Sequence, residues 1–115
     1  MLPMKEPIPM QILVNTDNAI EGSEGLIERT EAIAREGLSR FSDRITRVEL
    51  HLSDTNSERG GVDKRCVVEV RPKGLDPVVT TDQAETVDKV VLAAIHKMVN
   101  LLETTFGKLS ARRDH

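Results

Sequence analysis

The chain has 115 residues, enough for one domain with a modest hydrophobic core. Only 2% of the residues are aromatic, with no Trp and no Tyr, which argues against an aromatic stacking platform for single-stranded nucleic acid. The formal net charge of −3 argues against a protein held to nucleic acid by bulk charge alone, so RNA binding would need a local basic patch.

The chain is expected to form a single domain over residues 10–109, between a flexible tail at residues 1–9 and a polar tail at residues 110–115. Cys66 has no second cysteine to pair with, which is typical of a reducing compartment. No apolar run approaches the length of a membrane span, and the first residues lack the apolar core of a signal peptide. These features predict a cytoplasmic protein without a membrane partner.

The first elements are predicted to be a strand and an amphipathic helix. Gln11–Asn15 reads as a short strand, and turn residues follow it. Ser23 is a plausible N-cap for a helix that runs to about Phe41. Helical spacing places the following residues on one face: Leu26, Thr30, Ile33, Ala34, Gly37, Leu38 and Phe41.

The middle of the chain predicts an antiparallel hairpin. Arg47–Leu52 and Arg65–Arg71 each alternate polar and apolar residues, so each strand has one apolar face. The loop between them is rich in Asp, Asn, Ser and Gly, and Gly60–Gly61 suits a turn better than a phosphate loop. The apolar faces are expected to carry Val48, Leu50, Leu52, Cys66, Val68 and Val70.

The last elements are predicted to be a short strand and a long helix. Val78–Thr81 reads as the fourth strand, and Asp82 with Glu85 resembles a capping box for the helix. Gly107 is expected to mark fraying at the helix end. The apolar stripe of this helix comprises Val87, Val91, Ala94, Ile95, Met98, Leu102 and Leu109.

The element order β-α-β-β-β-α predicts an α+β fold. A crossover through the first helix makes the first two strands parallel, and the remaining strands form an antiparallel meander. Both helices then cover one face of a four-stranded sheet in a two-layer sandwich. The open face is expected to show Arg47, Glu49, His51, Arg65, Val67, Glu69 and Arg71.

The residues suggest no enzyme, metal or cofactor site. His51, His96 and His115 are widely separated, and none lies at metal-ligand spacing from Cys66. Cys66 is in phase with two valines, which favours a buried core thiol over a nucleophile. We therefore expect no catalysis and no small-molecule substrate.

Basic residues of the hairpin and its entry are the candidate binding groups, because guanidinium groups suit phosphate. Arg44, Arg47, Lys64, Arg65 and Arg71 could come together in space. Surface ion pairing with nearby acidic residues is the competing interpretation, and the residues alone leave it the stronger of the two.

Four stretches resemble the bacterial ribosome-hibernation factor family, also called ribosome-associated inhibitor or sigma-54 modulation proteins. Met10–Asn18 is similar to the first strand and turn of that family, and Phe41–Ile45 to its aromatic-Asp-Arg-Ile exit from the first helix. His51–Asp54 and Asp63–Cys66 resemble a proteobacterial branch. The resemblance covers nearly all of residues 10–109, and its fold is the one predicted above.

The resemblance implies binding to the small ribosomal subunit in the channel for messenger and transfer RNA, with inhibition of translation under stress or in stationary phase. Contacts between basic side chains and ribosomal RNA phosphates would supply position without base identity. Arg40, Arg44, Lys97 and Lys108 fall where helices of the family carry basic residues, and Lys64 and Arg65 belong to the branch motif.

The second helix departs from the family, whose members usually carry a dense basic run there. Residues 85–115 hold five basic against four acidic side chains. A protein-interaction module that has lost RNA binding is therefore the alternative. The chain also ends soon after this helix, so any part in ribosome dimerisation is expected to need another hibernation factor.

Overall fold

The structure is a computed structural model that describes residues 10–17, 20, 24–54 and 63–113, with the backbone alone at residues 24 and 109–113. The elements follow in this order: β1 (Gln11–Thr16), α1 (Glu24–Gly37), a 3₁₀ helix (Ser39–Arg44), β2 (Ile45–Asp54), β3 (Lys64–Pro72), β4 (Val78–Ala84) and α2 (Val87–Arg113).

The four strands form one sheet in the order β1-β2-β3-β4. β1 runs parallel to β2, with Gln11 opposite Arg47, and the other two strand pairs are antiparallel. Helix α2 packs on β3 and β4, whereas α1 packs on β1 and on α2. The predicted α+β two-layer sandwich is confirmed.

The core lies between the sheet and the two helices. The six apolar residues predicted on one face of the hairpin are at most 2% exposed, and the open-face residues are half-buried or exposed. Met98 and Leu102 of α2 are fully buried against this layer. The strand alternation therefore predicted the face of each of these strand side chains correctly.

Helix α1 ends earlier than expected, at Gly37 rather than near Phe41. The Ser39 hydroxyl donates to the Glu36 carbonyl at 2.9 Å, a local bond that competes with continued helix. The chain then tightens, and the Phe41 N–H donates to the Leu38 carbonyl three residues back. Phe41 is still buried, now from the 3₁₀ helix.

The predicted capping box of α2 is wrong, because Asp82 belongs to β4. Asp82 lies opposite Cys66 in the sheet, and the pairing of β4 with β3 continues to Ala84, which lies opposite Lys64. Thr86 caps the helix instead: its hydroxyl accepts the Lys89 N–H at 3.2 Å.

One further boundary differs from expectation, and three predicted features cannot be compared. Helix α2 continues through Gly107 to Arg113, because one exposed glycine costs only about 1 kcal/mol and Phe106 is packed in the core just before it. The predicted Ser23 cap, the Gly60–Gly61 turn and the tail at residues 1–9 lie outside the described residues.

Candidate RNA-binding surface

The open face of the sheet presents like charges opposite each other on β2 and β3. Arg47 is paired with Arg71, and Glu49 with Glu69 in the next row. Such pairs oppose each other. A guanidinium nitrogen of Arg47 lies 2.7 Å from Glu49 Oε1, and this attraction offsets part of the repulsion between Arg47 and Arg71.

The structure separates the predicted hairpin cations into two groups. Arg44, Arg47 and Arg71 lie at the end of the sheet where β2 begins, whereas Lys64 lies opposite Asp54 at the other end. On β2, Ser53 lies opposite Arg65, and it is six residues, or roughly 20 Å, along the strand from Arg47. One compact hairpin cluster is therefore not formed.

Lys64 is the most thoroughly paired cation of the predicted set. Its ammonium group lies 2.9 Å from Asp54 Oδ2 and 3.0 Å from Asp63 Oδ1. The hydrogen bond to Asp54, followed by that to Asp63, raises the pKa of Lys64 above its ordinary value. Two largely buried carboxylates thus already balance this charge.

Arg40 and Lys97 are also engaged by acidic groups. Arg40 contacts Glu103 of α2 at 2.8 Å, and its guanidinium carbon lies 5.0 Å from the centre of the Phe41 ring. Lys97 donates to the Thr81 carbonyl at 2.9 Å and lies 3.5 Å from Asp82. Both side chains remain about half-exposed, so solvent and salt weaken these pairs.

Arg44 differs because an aromatic ring, not a carboxylate, holds it. Its guanidinium carbon lies 3.8 Å from the centre of the Phe106 ring, a cation–π contact. Phe106 in turn packs against Phe41 with ring centroids 5.6 Å apart. Within the described residues Arg44 has no ion pair, and its nitrogen edges remain available as donors.

Lys73 also lies at this end of the sheet, although it is not among the predicted contacts. Its backbone N–H donates to the Arg44 carbonyl at 2.9 Å, in the turn that Gly74 closes with a φ of 73°. A lysine after Pro72 carries no local signal of this placement, which depends on the β2–β3 register. We call Arg44, Arg71 and Lys73 the basic corner.

The members of the basic corner share one property. Over residues 10–17, 20, 25–54 and 63–108, whose side chains are described, no carboxylate lies within ion-pair distance of any of the three. Arg65 and Lys108, also in the predicted set, are exposed and equally unpaired over the same residues, but they lie elsewhere, at the far end of β3 and near the end of α2.

The described residues offer little for catalysis or metal binding. They contain no group of three or more His, Cys, Asp or Glu side chains suited to a metal ion. Burial, aided by the negative charge of Asp82, raises the pKa of the Cys66 thiol to about 12, so it is a poor nucleophile. Across the same residues no helix has the length and apolar character needed to cross a bilayer.

Comparison with known proteins shows a shared fold. No family model matches the sequence, and no match was found among curated proteins. A ribosomal subunit interface protein from Coxiella burnetii superposes with a TM-score of 0.63 at 20% identity, covering 89% of this chain and 99% of that one. The N-terminal domain of Thermus thermophilus Protein Y gives 0.65 at 13% identity, covering 85% and 99%. Both are members of the hibernation-factor family that the motifs resemble.

Proposed function

We propose that this protein is a ribosome-associated factor of the hibernation type. It binds the small ribosomal subunit in the channel for messenger and transfer RNA and inhibits translation in stressed or stationary cells. The observation that carries the proposal is the fold shared, over 89% of the chain, with a ribosomal subunit interface protein. The motif order along residues 10–109 supports it independently.

The chemistry of the surface suits a backbone-reading RNA binder. Both phenylalanines are buried, so no aromatic face is available to stack on a base. Exposed arginines and lysines can contact phosphates and release counterions, which gives affinity without base recognition. The candidate contacts remain Arg40, Arg44, Arg47, Lys64, Arg65, Arg71, Lys97 and Lys108.

Co-sedimentation with purified ribosomes and separated subunits, over a range of salt concentrations, tests the proposal. We expect the protein to travel with small subunits and whole ribosomes, and the bound fraction to fall steeply as salt rises. The same protein added to a cell-free translation reaction should lower the yield. Failure to sediment with ribosomes even at low salt would contradict the proposal.

A protein-interaction module of the same fold is the second candidate. It is favoured by the ion pairs that occupy Arg29, Arg35, Arg40, Arg47, Lys64 and Lys97 and by the net charge of −3. Leu92 is 57% exposed beside an apolar groove between α1 and α2 that Ile33, Gly37 and Ile95 help to line. A pull-down dominated by one non-ribosomal protein, and lost on Leu92→Asp, would favour this candidate.

A further inference from the structure

We propose that the basic corner, formed by Arg44, Arg71 and Lys73, is a binding site for the phosphodiester backbone of RNA, with Phe106 as its positioning residue. The inference rests on the proposed function for the identity of the RNA. It adds Lys73 and Phe106, neither of which carries a motif.

Arg44 is held ready for a phosphate before any ligand arrives. Its guanidinium carbon lies 3.8 Å from the centre of the Phe106 ring, and no described acceptor takes a hydrogen bond from its N–H groups. The position of the ring is restricted, since Phe106 is only 5% exposed and packs against Phe41. An arginine oriented in this way loses less side-chain freedom on binding than a freely rotating one.

Two hydrogen bonds to backbone carbonyls place the other cations at the same end of the sheet. The Lys73 N–H donates to the Arg44 carbonyl, and the Thr46 hydroxyl donates to the Arg71 carbonyl at 3.1 Å. Arg71 points to the open face of the sheet, whereas Arg44 lies over the helix layer and Lys73 sits at the turn. The three therefore lie around one end of the sheet, where each can contact a phosphate of a strand that passes it.

The acidic residues close to the corner in the chain do not pair with its members. Asp43, Glu69 and Asp76 are half-buried or exposed, and none of them forms an ion pair with a member of the corner over the residues whose side chains are described. By contrast, a phosphate at Arg40 would compete with Glu103, and one at Lys64 would compete with Asp54 and Asp63. RNA phosphates therefore gain most at the corner, where no existing ion pair has to break.

The test compares the ribosome affinity and its salt dependence for the full chain and matched variants. Arg44→Gln should weaken binding about tenfold, the loss expected for one charge-assisted contact. Arg44→Gln with Arg71→Gln and Lys73→Gln should reduce the slope of log affinity against log salt by about two. Lys89→Gln is the matched control: it removes one exposed, equally unpaired charge on the described surface, at the start of α2, and should leave affinity and slope unchanged.

A double-mutant cycle separates positioning from stability. Phe106→Leu should weaken binding several-fold in the wild-type background but add no loss in the Arg44→Gln background, because the ring acts through Arg44. Phe106→Tyr keeps the ring face and should restore the affinity. Equal losses from Phe106→Leu in both backgrounds would overturn the positioning role, and a triple variant with wild-type affinity would overturn the corner.

A second probe separates failure of the corner from failure of the ribosome proposal. An oligouridylate of about ten nucleotides is titrated into labelled protein while arginine Nε–H and backbone signals are followed by NMR. Shifts centred on Arg44, Arg71 and Lys73 support the corner even if ribosomes do not bind. Shifts elsewhere, or none at low salt, overturn it whatever the ribosome assay shows.

Discussion

Gly37 lies so close to Ile95 that a Cβ atom on the glycine would come within 2.6 Å of the isoleucine Cγ2 atom. The end of α1 thus packs against α2 at a distance that only glycine permits. Gly37→Ala should destabilise the protein by about 1–3 kcal/mol, the usual cost of overpacking. Thermal or urea unfolding measures the change.

Gly107→Ala is the control for this prediction. Gly107 also lies within a helix, but a Cβ there meets no atom within 4 Å outside its own helix. Alanine should therefore stabilise α2 by roughly 0.5–1 kcal/mol through its helix propensity. If both variants shift stability in the same direction, the close contact is not what requires glycine at position 37.

Thr30 should accept valine with a gain in stability. Its side chain is fully buried in α1, and its hydroxyl oxygen has no hydrogen-bond partner in the part of the chain that the structure describes. Thr30→Val keeps the branched shape and removes the buried polar atom, so we expect about 1 kcal/mol of stabilisation. Chemical denaturation gives the value.

Thr80→Val provides the opposite case. The Thr80 hydroxyl donates to the Ala94 carbonyl at 3.1 Å and joins β4 to α2. Loss of that bond should cost about 1 kcal/mol. A Thr30→Val variant that loses as much stability as Thr80→Val would show that the Thr30 hydroxyl has a partner in solution.

Cys66 should resist thiol reagents in the native protein. Burial and the nearby Asp82 raise its pKa from 9.0 to about 12, which keeps the thiol protonated. The raised pKa contributes stability that is fully present below pH 9 and is lost as pH rises toward 12, because the unfolded thiol ionises first. Ellman's reagent at pH 8 should react slowly with native protein and rapidly in guanidinium chloride.

Cys66→Ala should give no colour with Ellman's reagent. Its free energy of unfolding should also fall less steeply above pH 9 than that of the wild type. A native thiol that reacts at the rate of the denatured one would contradict its burial.

Lys64→Met should lower the melting temperature at pH 7. Lys64 lies between Asp54 and Asp63, and these hydrogen bonds raise its pKa. The ammonium therefore stabilises the fold fully at pH values below the pKa of an unfolded lysine, and this stabilisation is lost as the pH rises through the folded pKa. Lys108→Met, at an exposed lysine without an ion pair over the described residues, should change the melting temperature little at the same pH.

The sheet could be predicted because its signal is local. Val48, Leu50 and Leu52 alternate with polar residues, and that period alone assigns their face. The start of α2 could not be predicted from the sequence, because Asp82 is compatible both with a strand and with a helix N-cap. Pairing with β3 places Asp82 in the strand, and the residues next to Asp82 in the sequence do not indicate that pairing.

The candidate basic residues could be selected by type from the sequence, but their grouping in space could not be predicted. Arg44 was selected, but its contact with Phe106 joins residues far apart in the chain. The pairing of Arg40 with Glu103 likewise depends on how the 3₁₀ helix meets α2. Which cations remain available is therefore a tertiary property, and the absence of a local signal at Lys73 has the same origin.

The parallel pairing of β1 with β2 has a consequence for how the chain acquires its structure. The β2–β3–β4 meander joins segments that follow one another closely in the chain. By contrast, α1 and the 3₁₀ helix lie in the sequence between the paired strands β1 and β2. Closing the longer loop costs more entropy, and distant contacts slow the search for the native state. During synthesis β1 leaves the ribosome before any other described strand, yet its hydrogen bonds must wait until β2 has been made.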